Sequence, residues 1–427
     1  MASPSFSIRY LFSLLGAVRK ESFGLHRMQW LMDELGRPDQ VPGIVHIAGT
    51  NGKGSTAAMI ESGLRAAGHT TGLYTSPHLT CINERFALHG QAVSDAALAA
   101  AIEPVRRANE RVVAERGSSA HPTFFESVTA AALVLFRREN VRYRIVETGL
   151  GGRLDASNVV RPEVAVITRV QRDHERYLGT DLARIAAEKA AIIKTGCSAV
   201  IGQQKPSALG VLLRRCDEVG VERVDVSAEW RAREAASDAG YWRFEARGRG
   251  KSIPVKLALA GEHQIENALA AIAALDVLDV DPQSIAAGLG RAKWPGRLEC
   301  ACRDPLVLLD AAHNPGGARA LSEFLGREAR GRRVTLIYGS SRDKAVDEIA
   351  AWMFPAADRV ILTRSKVQRA ASPEALLDAV GHHHRRVDIA PDIGEALGTA
   401  RRDSSEGDWI VVAGSLFLVG EAREVLG

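Results

Sequence analysis

The sequence predicts an α/β protein: a phosphate-loop domain on a mostly parallel sheet, followed by a smaller Rossmann-like domain. Three observations predict it. Short apolar runs alternate with helical patterns through most of the 427 residues. A glycine-rich turn joins the first such run to a helix, and a second alternation begins beyond Trp294-Pro295-Gly296. At roughly 100–200 residues per domain the length allows two or three domains. The Pro-Gly punctuation divides the chain into residues 1–296 and 297–427.

In chain order, Ile8, Leu11, Leu15 and Val18 recur at helical spacing, which predicts an amphipathic first helix. The apolar stretch from Tyr10 to Val18 lacks an A-x-A cleavage pattern and runs into Arg19, Lys20 and Glu21, so a helix is favoured over a secretion signal. Ile44 to Ala48, Arg144 to Glu147, Val164 to Thr168 and Ala199 to Ile201 read as buried strands separated by helices. Between Ala228 and Leu259, Trp230, Tyr241, Trp242, Phe244 and Ile253 sit among polar residues with Gly240 and Gly248, predicting a small antiparallel excursion. Leu306 to Leu309, Val334 to Ile337, Val360 to Leu362 and Ile410 to Val412 begin the strands of the second alternation. The triplet His382-His383-His384 could bind a metal adventitiously, but an exposed helix end is the favoured reading.

Composition narrows the class. A quarter of the residues are charged and 46% are hydrophobic, as in globular proteins, so disorder and fibrous repeats are excluded. Lys+Arg 55 against Asp+Glu 51 leaves +4, spread as scattered pairs such as Arg214-Arg215, which argues against a nucleic-acid partner. The five cysteines, Cys81, Cys197, Cys216, Cys300 and Cys302, form no CxxC and no even framework, so a reducing compartment is expected. No apolar run approaches the ~20 residues that cross a bilayer.

The strongest local signal is Gly49-Thr50-Asn51-Gly52-Lys53-Gly54-Ser55-Thr56. It follows a buried strand and opens a helix with Met59, Ile60, Gly63, Leu64 and Ala67 on one face and Gly68 as its stop. Such a turn aims backbone N–H groups and the positive helix end at a phosphate. Lys53 can reach the β and γ phosphates, and Ser55 can meet Mg²⁺. The spelling departs from G-x-x-x-x-G-K-[ST]: the leading glycine stands too close, and Gly54 precedes Ser55. Glu147 ends a buried strand, where open α/β sheets place ligands, and needs either a metal or a salt bridge to an arginine. His174 lies beyond the next strand at the same sheet edge.

The loop resembles that of the Mur ligase superfamily, specifically its folate branch, dihydrofolate synthase/folylpolyglutamate synthase. Further matches extend over almost the whole chain: Gly24 to Met28, Ser76-Pro77-His78, Thr123 to Glu126, Glu147 to Asn158, Asp173-His174, Glu188-Lys189-Ala190, His263-Gln264, Trp294 to Glu299, Asp310 to Pro315 and Gly414 to Gly420. The resemblance implies a Mur ligase central-domain fold followed by a glutamate ligase domain. It implies ATP-dependent joining of L-glutamate to dihydropteroate or a reduced folate through an acyl phosphate.

The same resemblance implies Lys53, Glu147, His174, Lys189 and His313 as catalytic residues. Nucleotide contacts are implied at residues 51–56, Asn267, Arg297 and Asp310, and Mg²⁺ ligands at Ser55, Ser76, Glu147 and His174. A second Mg²⁺ would be organised by Lys189 as a carbamate. The pterin is implied at Gly24, Leu25, His26, Arg27, Thr123, Phe124, Phe125 and Asp155. A monomeric cytoplasmic enzyme with small-molecule partners and no membrane contact is expected. Where the family usually has small or apolar residues, this chain has Arg169, Gln171 and Arg172, and Ala191 replaces a usual Gly. Long polar side chains there are expected to reshape the substrate mouth or disturb Mg²⁺. The rival readings are a ligase for a peptidoglycan nucleotide precursor and a nucleotide-binding protein with lost turnover.

Overall fold

A computed structural model describes residues 6–15 and 24–427. Its first sheet holds β1 (Ile44–Ala48), β2 (Thr71–Tyr74), β3 (Phe86–Leu88), β4 (Gln91–Ala92), β5 (Tyr143–Glu147), β6 (Val164–Ile167), β7 (Ser198–Ile201) and β8 (Arg223–Asp225). Their order is β4-β3-β2-β5-β1-β6-β7-β8. The β4-β3-β2 edge is antiparallel and every other pairing is parallel. β1 is buried along its whole length, as a strand covered on both faces must be. The order puts β1 between β5 and β6, so the ends of those three strands meet at one edge.

The antiparallel excursion is a sheet of β9 (Trp230–Asp238), β10 (Tyr241–Gly248) and β11 (Lys251–Lys256). Its inner face buries Trp230, Phe244, Ile253 and Val255 with residues of helix His263–Val277 in one core cluster. The third sheet contains β12 (Glu299–Arg303), β13 (Leu306–Leu309), β14 (Val334–Tyr338), β15 (Arg359–Leu362), β16 (Val387–Ile389) and β17 (Trp409–Ala413), in the order β12-β13-β17-β14-β15-β16. Only the β12–β13 pair is antiparallel.

Two details differ from expectation. The first described helix is Phe6–Ser13, and its buried apolar side chains are Ile8 and Leu11, joined by Leu14 just beyond its end. Leu15 is 57% exposed, because the helix stops before it, and Val18 lies outside the described residues. Helix Lys53–Ala66 buries every residue from Ser55 to Leu64, where one apolar face was expected. It is enclosed because helices His263–Val277 and Pro282–Leu289 also pack on it. Small residues permit this: a Cβ on Gly288 would meet the Gly63 backbone at 2.4 Å.

The antiparallel sheet depends on Trp230, which is 1% exposed and has no hydrogen-bond partner for its indole N–H. Trp230→Ala should therefore cost about 3–5 kcal/mol in urea unfolding through the cavity it leaves. A loss below about 1 kcal/mol would show that the sheet is not anchored there.

Candidate active site

The loop after β1 is shaped by residues distant in sequence. Gly52 has φ +87°, and a Cβ there would lie 2.1 Å from Asn267 Oδ1. Gly54 faces the Trp294 indole, where a Cβ would come within 2.4 Å of the ring. The extra glycine between Lys53 and Ser55 is thus required by an aromatic ring from the segment entering the third sheet. Asn267 donates to Gln264 Oε1 (2.9 Å), and Gln264 donates to Ser55 Oγ (3.3 Å).

A cavity of about 1440 Å³ opens over this loop and reaches the third sheet. Lys53, Ser55, Ser76, Glu147, His174 and Lys189 line one side; Arg297, Asp310 and His313 line the other. Lys53 Nζ stands 3.3 Å from Thr50 O and 3.9 Å from Glu147 Oε1. Glu147 is 4% exposed, and its Oε2 accepts the Ser76 N–H at 3.1 Å. Burial raises its pKa, against the opposing charge of Lys53. The cation facing Glu147 is therefore a lysine, not the arginine that sequence left open.

Lys189 is buried and donates to Gly49 O at 2.8 Å. Burial, reinforced by the nearby charge of Lys53, lowers its pKa to about 7. His174 sits in left-handed backbone at φ +52°. Burial holds its pKa down to about 4. Its Nε2 is 4.0 Å from Asp173 Oδ2, too far for a hydrogen bond.

Asp173 joins the two sides. It accepts from Asn314 Nδ2 (2.9 Å) and Lys344 Nζ (2.7 Å), and His313 Nε2 lies 3.6 Å away. Burial opposes its charge, but His313, His174 and Lys344 hold its carboxyl well below the usual range. Asn314 in turn exchanges two hydrogen bonds with Asn51 of the loop (3.0 and 3.1 Å). Asp310 binds the Leu298 and Ala312 N–H groups at 2.9 Å each. Arg297 donates to the Gly296 carbonyl (3.3 Å), and neighbouring Glu299 pairs with Arg423 at 3.1 Å.

The pterin-side residues do not line this cavity, although Phe125 and Asp155 back its wall at Gly149 and Leu150. Arg27 and Glu126 form a buried double contact at 3.1 Å, and Glu126 also accepts the Thr123 N–H (2.7 Å). Phe124 packs in the core near Phe12, whereas Phe125 is half-buried against Gly149, where a Cβ would come within 2.4 Å of its ring. Asp155 accepts four hydrogen bonds from Gly149, Leu150 and Ser157, so its carboxylate is spent on the turn after β5. Gly24 sits against His26, whose ring packs on Trp30 at 5.1 Å, with Leu25 between them in the chain.

The polar substitutions after β6 have partners of their own. Arg169 pairs with Glu266 (3.0 Å), Arg172 with Glu348 (3.8 Å), and Gln171 Oε1 accepts from Asn51 (2.7 Å). Sequence reading did not select Lys344, Asn314 or Trp294 as functional. Asn314 and Trp294 stand inside quoted motifs, while Lys344 carries no local signal because its partner is 171 residues away.

A phosphate loop on one parallel sheet, facing a Rossmann-like sheet across a cleft, defines the class, a Mur-type ligase. Residues 47–275 match the Mur ligase middle domain and residues 296–416 the Mur ligase glutamate ligase domain. The dihydrofolate synthase/folylpolyglutamate synthase of Mycobacterium tuberculosis is 35% identical over 94% of this chain and 90% of its own. The chain belongs to the dihydrofolate synthase/folylpolyglutamate synthase family.

A probable bifunctional folylpolyglutamate synthase/dihydropteroate synthase of Halobacterium salinarum is 37% identical over 92% of this chain, which spans only 48% of that relative. Among solved structures, M. tuberculosis folylpolyglutamate synthase complexed with ADP and AMPPCP superposes with TM-score 0.92 at 34% identity, covering 99% of both chains. Escherichia coli FolC with DHPP and ADP gives 0.88 at 30%, covering 100% of this chain and 98% of that one.

Gly54→Ala should push Trp294 aside at about 1–3 kcal/mol and raise KM for ATP about tenfold; an unchanged KM would detach the indole from the nucleotide site. Arg172→Ala, which removes only an exposed pair, should alter stability by less than about 1 kcal/mol and leave turnover within about threefold. A larger loss in steady-state assays would place Arg172 in the reaction.

Proposed function

We propose that this chain is an ATP-dependent ligase that joins L-glutamate to the carboxylate of dihydropteroate, of a reduced folate, or of both. One observation carries the reading: phosphate-loop Lys53 stands 3.9 Å from buried Glu147, and Asp310 and His313, in the loop after β13, line the same cavity. The γ-phosphoryl group passes from ATP to the acceptor carboxylate. The glutamate amine then attacks the acyl carbon and phosphate leaves. Lys53 and the loop N–H groups neutralise the charge that develops on the transferring group. Closing two units over the cavity excludes the water that would hydrolyse an acyl phosphate.

The residues fit Mg²⁺. Glu147 offers a desolvated carboxylate at the cavity wall, Ser55 and Ser76 offer hydroxyls, and the His174 imidazole lacks a hydrogen bond to its nearest carboxylate. When bound, such an ion would supply charge neutralisation on the transferring phosphoryl group. We assign Asn51, Gly52, Gly54, Thr56, Asn267, Arg297 and Asp310 to the nucleotide, and the Arg27–Phe125 wall to the pterin side.

Lys189 reads as a carbamate: its neutral amine adds CO₂ and releases a proton, and the remaining N–H still reaches Gly49 O. A pKa of about 7 makes the amine available at neutral pH. The domain division at residues 296 and 297 follows the entry into the third sheet. All five cysteines are unpaired, which suits the cytoplasm. Among the described residues no helix is long and apolar enough to cross a membrane.

Relatives matched over most of both chains bear folate-enzyme names, which disfavours a peptidoglycan-precursor ligase and a binder without turnover. The deciding assay is glutamate-dependent phosphate release with ATP and Mg²⁺, comparing dihydropteroate, tetrahydrofolate and a UDP-muramoyl acceptor. Release with neither folate acceptor would overturn the reading. Lys53→Ala should lower kcat by several powers of ten, each about 1.4 kcal/mol of barrier. Lys189→Ala should slow turnover and recover with acetate. Because protonation of the amine blocks CO₂ addition, wild-type activity should fall as pH drops below about 7. A rate unaffected by the lysine's removal would sink the carbamate.

A further inference from the structure

Away from the catalytic cavity, Asp347, His382 and His383 converge on one point of the second unit. Asp347 lies in the first turn of helix Val346–Met353, and Gly381–His383 form a 3₁₀ turn directly after helix Pro373–Val380. His383 Nε2 is 2.7 Å from Asp347 Oδ1, and His382 Nε2 is 3.6 Å from the same oxygen. The two imidazole centroids are 4.1 Å apart. One candidate ligand atom from each of the three residues lies within 4.8 Å of the other two.

We propose that these three residues form a binding site for a borderline divalent cation of the Zn²⁺ class. Two imidazole nitrogens and one carboxylate oxygen are the donors such an ion takes, with water completing the shell. Ligands about 2.0–2.1 Å from a tetrahedral ion stand about 3.3 Å from one another, close to the spacings already present. The carboxylate oxygen is close enough to hydrogen-bond only one of the two rings. Two protonated rings at this separation would repel; a cation between neutral rings and the carboxylate satisfies all three. Two nitrogen ligands also separate this site from one built for Mg²⁺, which prefers oxygen.

The third histidine is a brace. His384 bonds Ala357 O through Nε2 (3.0 Å) and the Arg386 backbone through Nδ1, so it holds the turn that presents its two neighbours. His383 is 19% exposed, which restricts its ring before any ion arrives. The triplet is therefore more than the exposed helix end that its sequence suggests. Asp347 lies between Lys344, paired with Asp173, and Glu348, facing Arg172. An ion here ties the segment that reaches the catalytic loop to the end of the neighbouring helix.

The test is calorimetric titration of the full chain with Zn²⁺ in excess Mg²⁺, added to compete for the catalytic cavity, beside the His382→Ala/His383→Ala double variant and Asp347→Asn. We expect one Zn²⁺ per wild-type chain in this titration, at least tenfold weaker binding in both variants, and unchanged ligase turnover in both without Zn²⁺. A Co²⁺ adduct should show tetrahedral visible bands in the wild type that the double variant lacks. No binding by the wild type, or equal affinity and spectra in wild type and variants, would overturn the proposal. Asp347→Asn keeps both imidazoles, so equal binding by that variant with loss in the double variant would remove the carboxylate from the ligand set and overturn the three-residue site.

Discussion

The nearly buried carboxylate of Asp173 is the constraint on which the rest of the cleft depends. A charge withdrawn from water must be paired, and its partners come from the other unit: Asn314, Lys344 and His313. The unit that carries the charge supplies only part of its compensation, through His174. The same contact carries Asn314 to Asn51, so the phosphate loop and the first helix after β13 are held in one network. Asn314 also caps that helix by accepting the Gly317 N–H at 2.9 Å. Removing any member leaves a buried polar group without its partner, which is why the network acts as a unit.

The phosphate loop shows a second form of mutual dependence. Its glycines are required by side chains some two hundred residues away, Asn267 and Trp294, which approach closer than a Cβ would permit. The loop's unusual spelling is thus a packing solution. Lys189 approaches from a third direction and bonds the Gly49 carbonyl, so two lysines, Lys53 and Lys189, stand near one another beside the loop. Burial, reinforced by the charge of Lys53, lowers the pKa of Lys189 to about 7.

Strand positions were legible because parallel strands covered on both faces leave continuous apolar runs: β1 occupies the predicted residues and β6 ends one residue earlier. The first helix was legible by period but not by end, since Leu15 falls beyond its last turn. Lys53 and Glu147 were visible as a loop lysine and a strand-end carboxylate. Lys344 was invisible, because an ion pair across the cleft leaves no local pattern. Asp155 shows the converse: a motif position whose carboxylate the turn consumes through four hydrogen bonds. Arg169 and Arg172 stood out in sequence as long polar side chains, and the carboxylates they pair with, Glu266 and Glu348, left no local pattern.

By itself, the sequence determined the elements and the chemistry available to them: buried strands from apolar runs, a phosphate loop from glycines before a helix, and no excess charge for nucleic acid. These follow from nearest-neighbour geometry, which a linear pattern records. Only the tertiary structure decided which groups share a site, because burial, pairing and pKa depend on what arrives from elsewhere in the chain. It set Lys53 against Glu147, joined Asp173 to Lys344, and turned an ordinary histidine run into a cluster around Asp347.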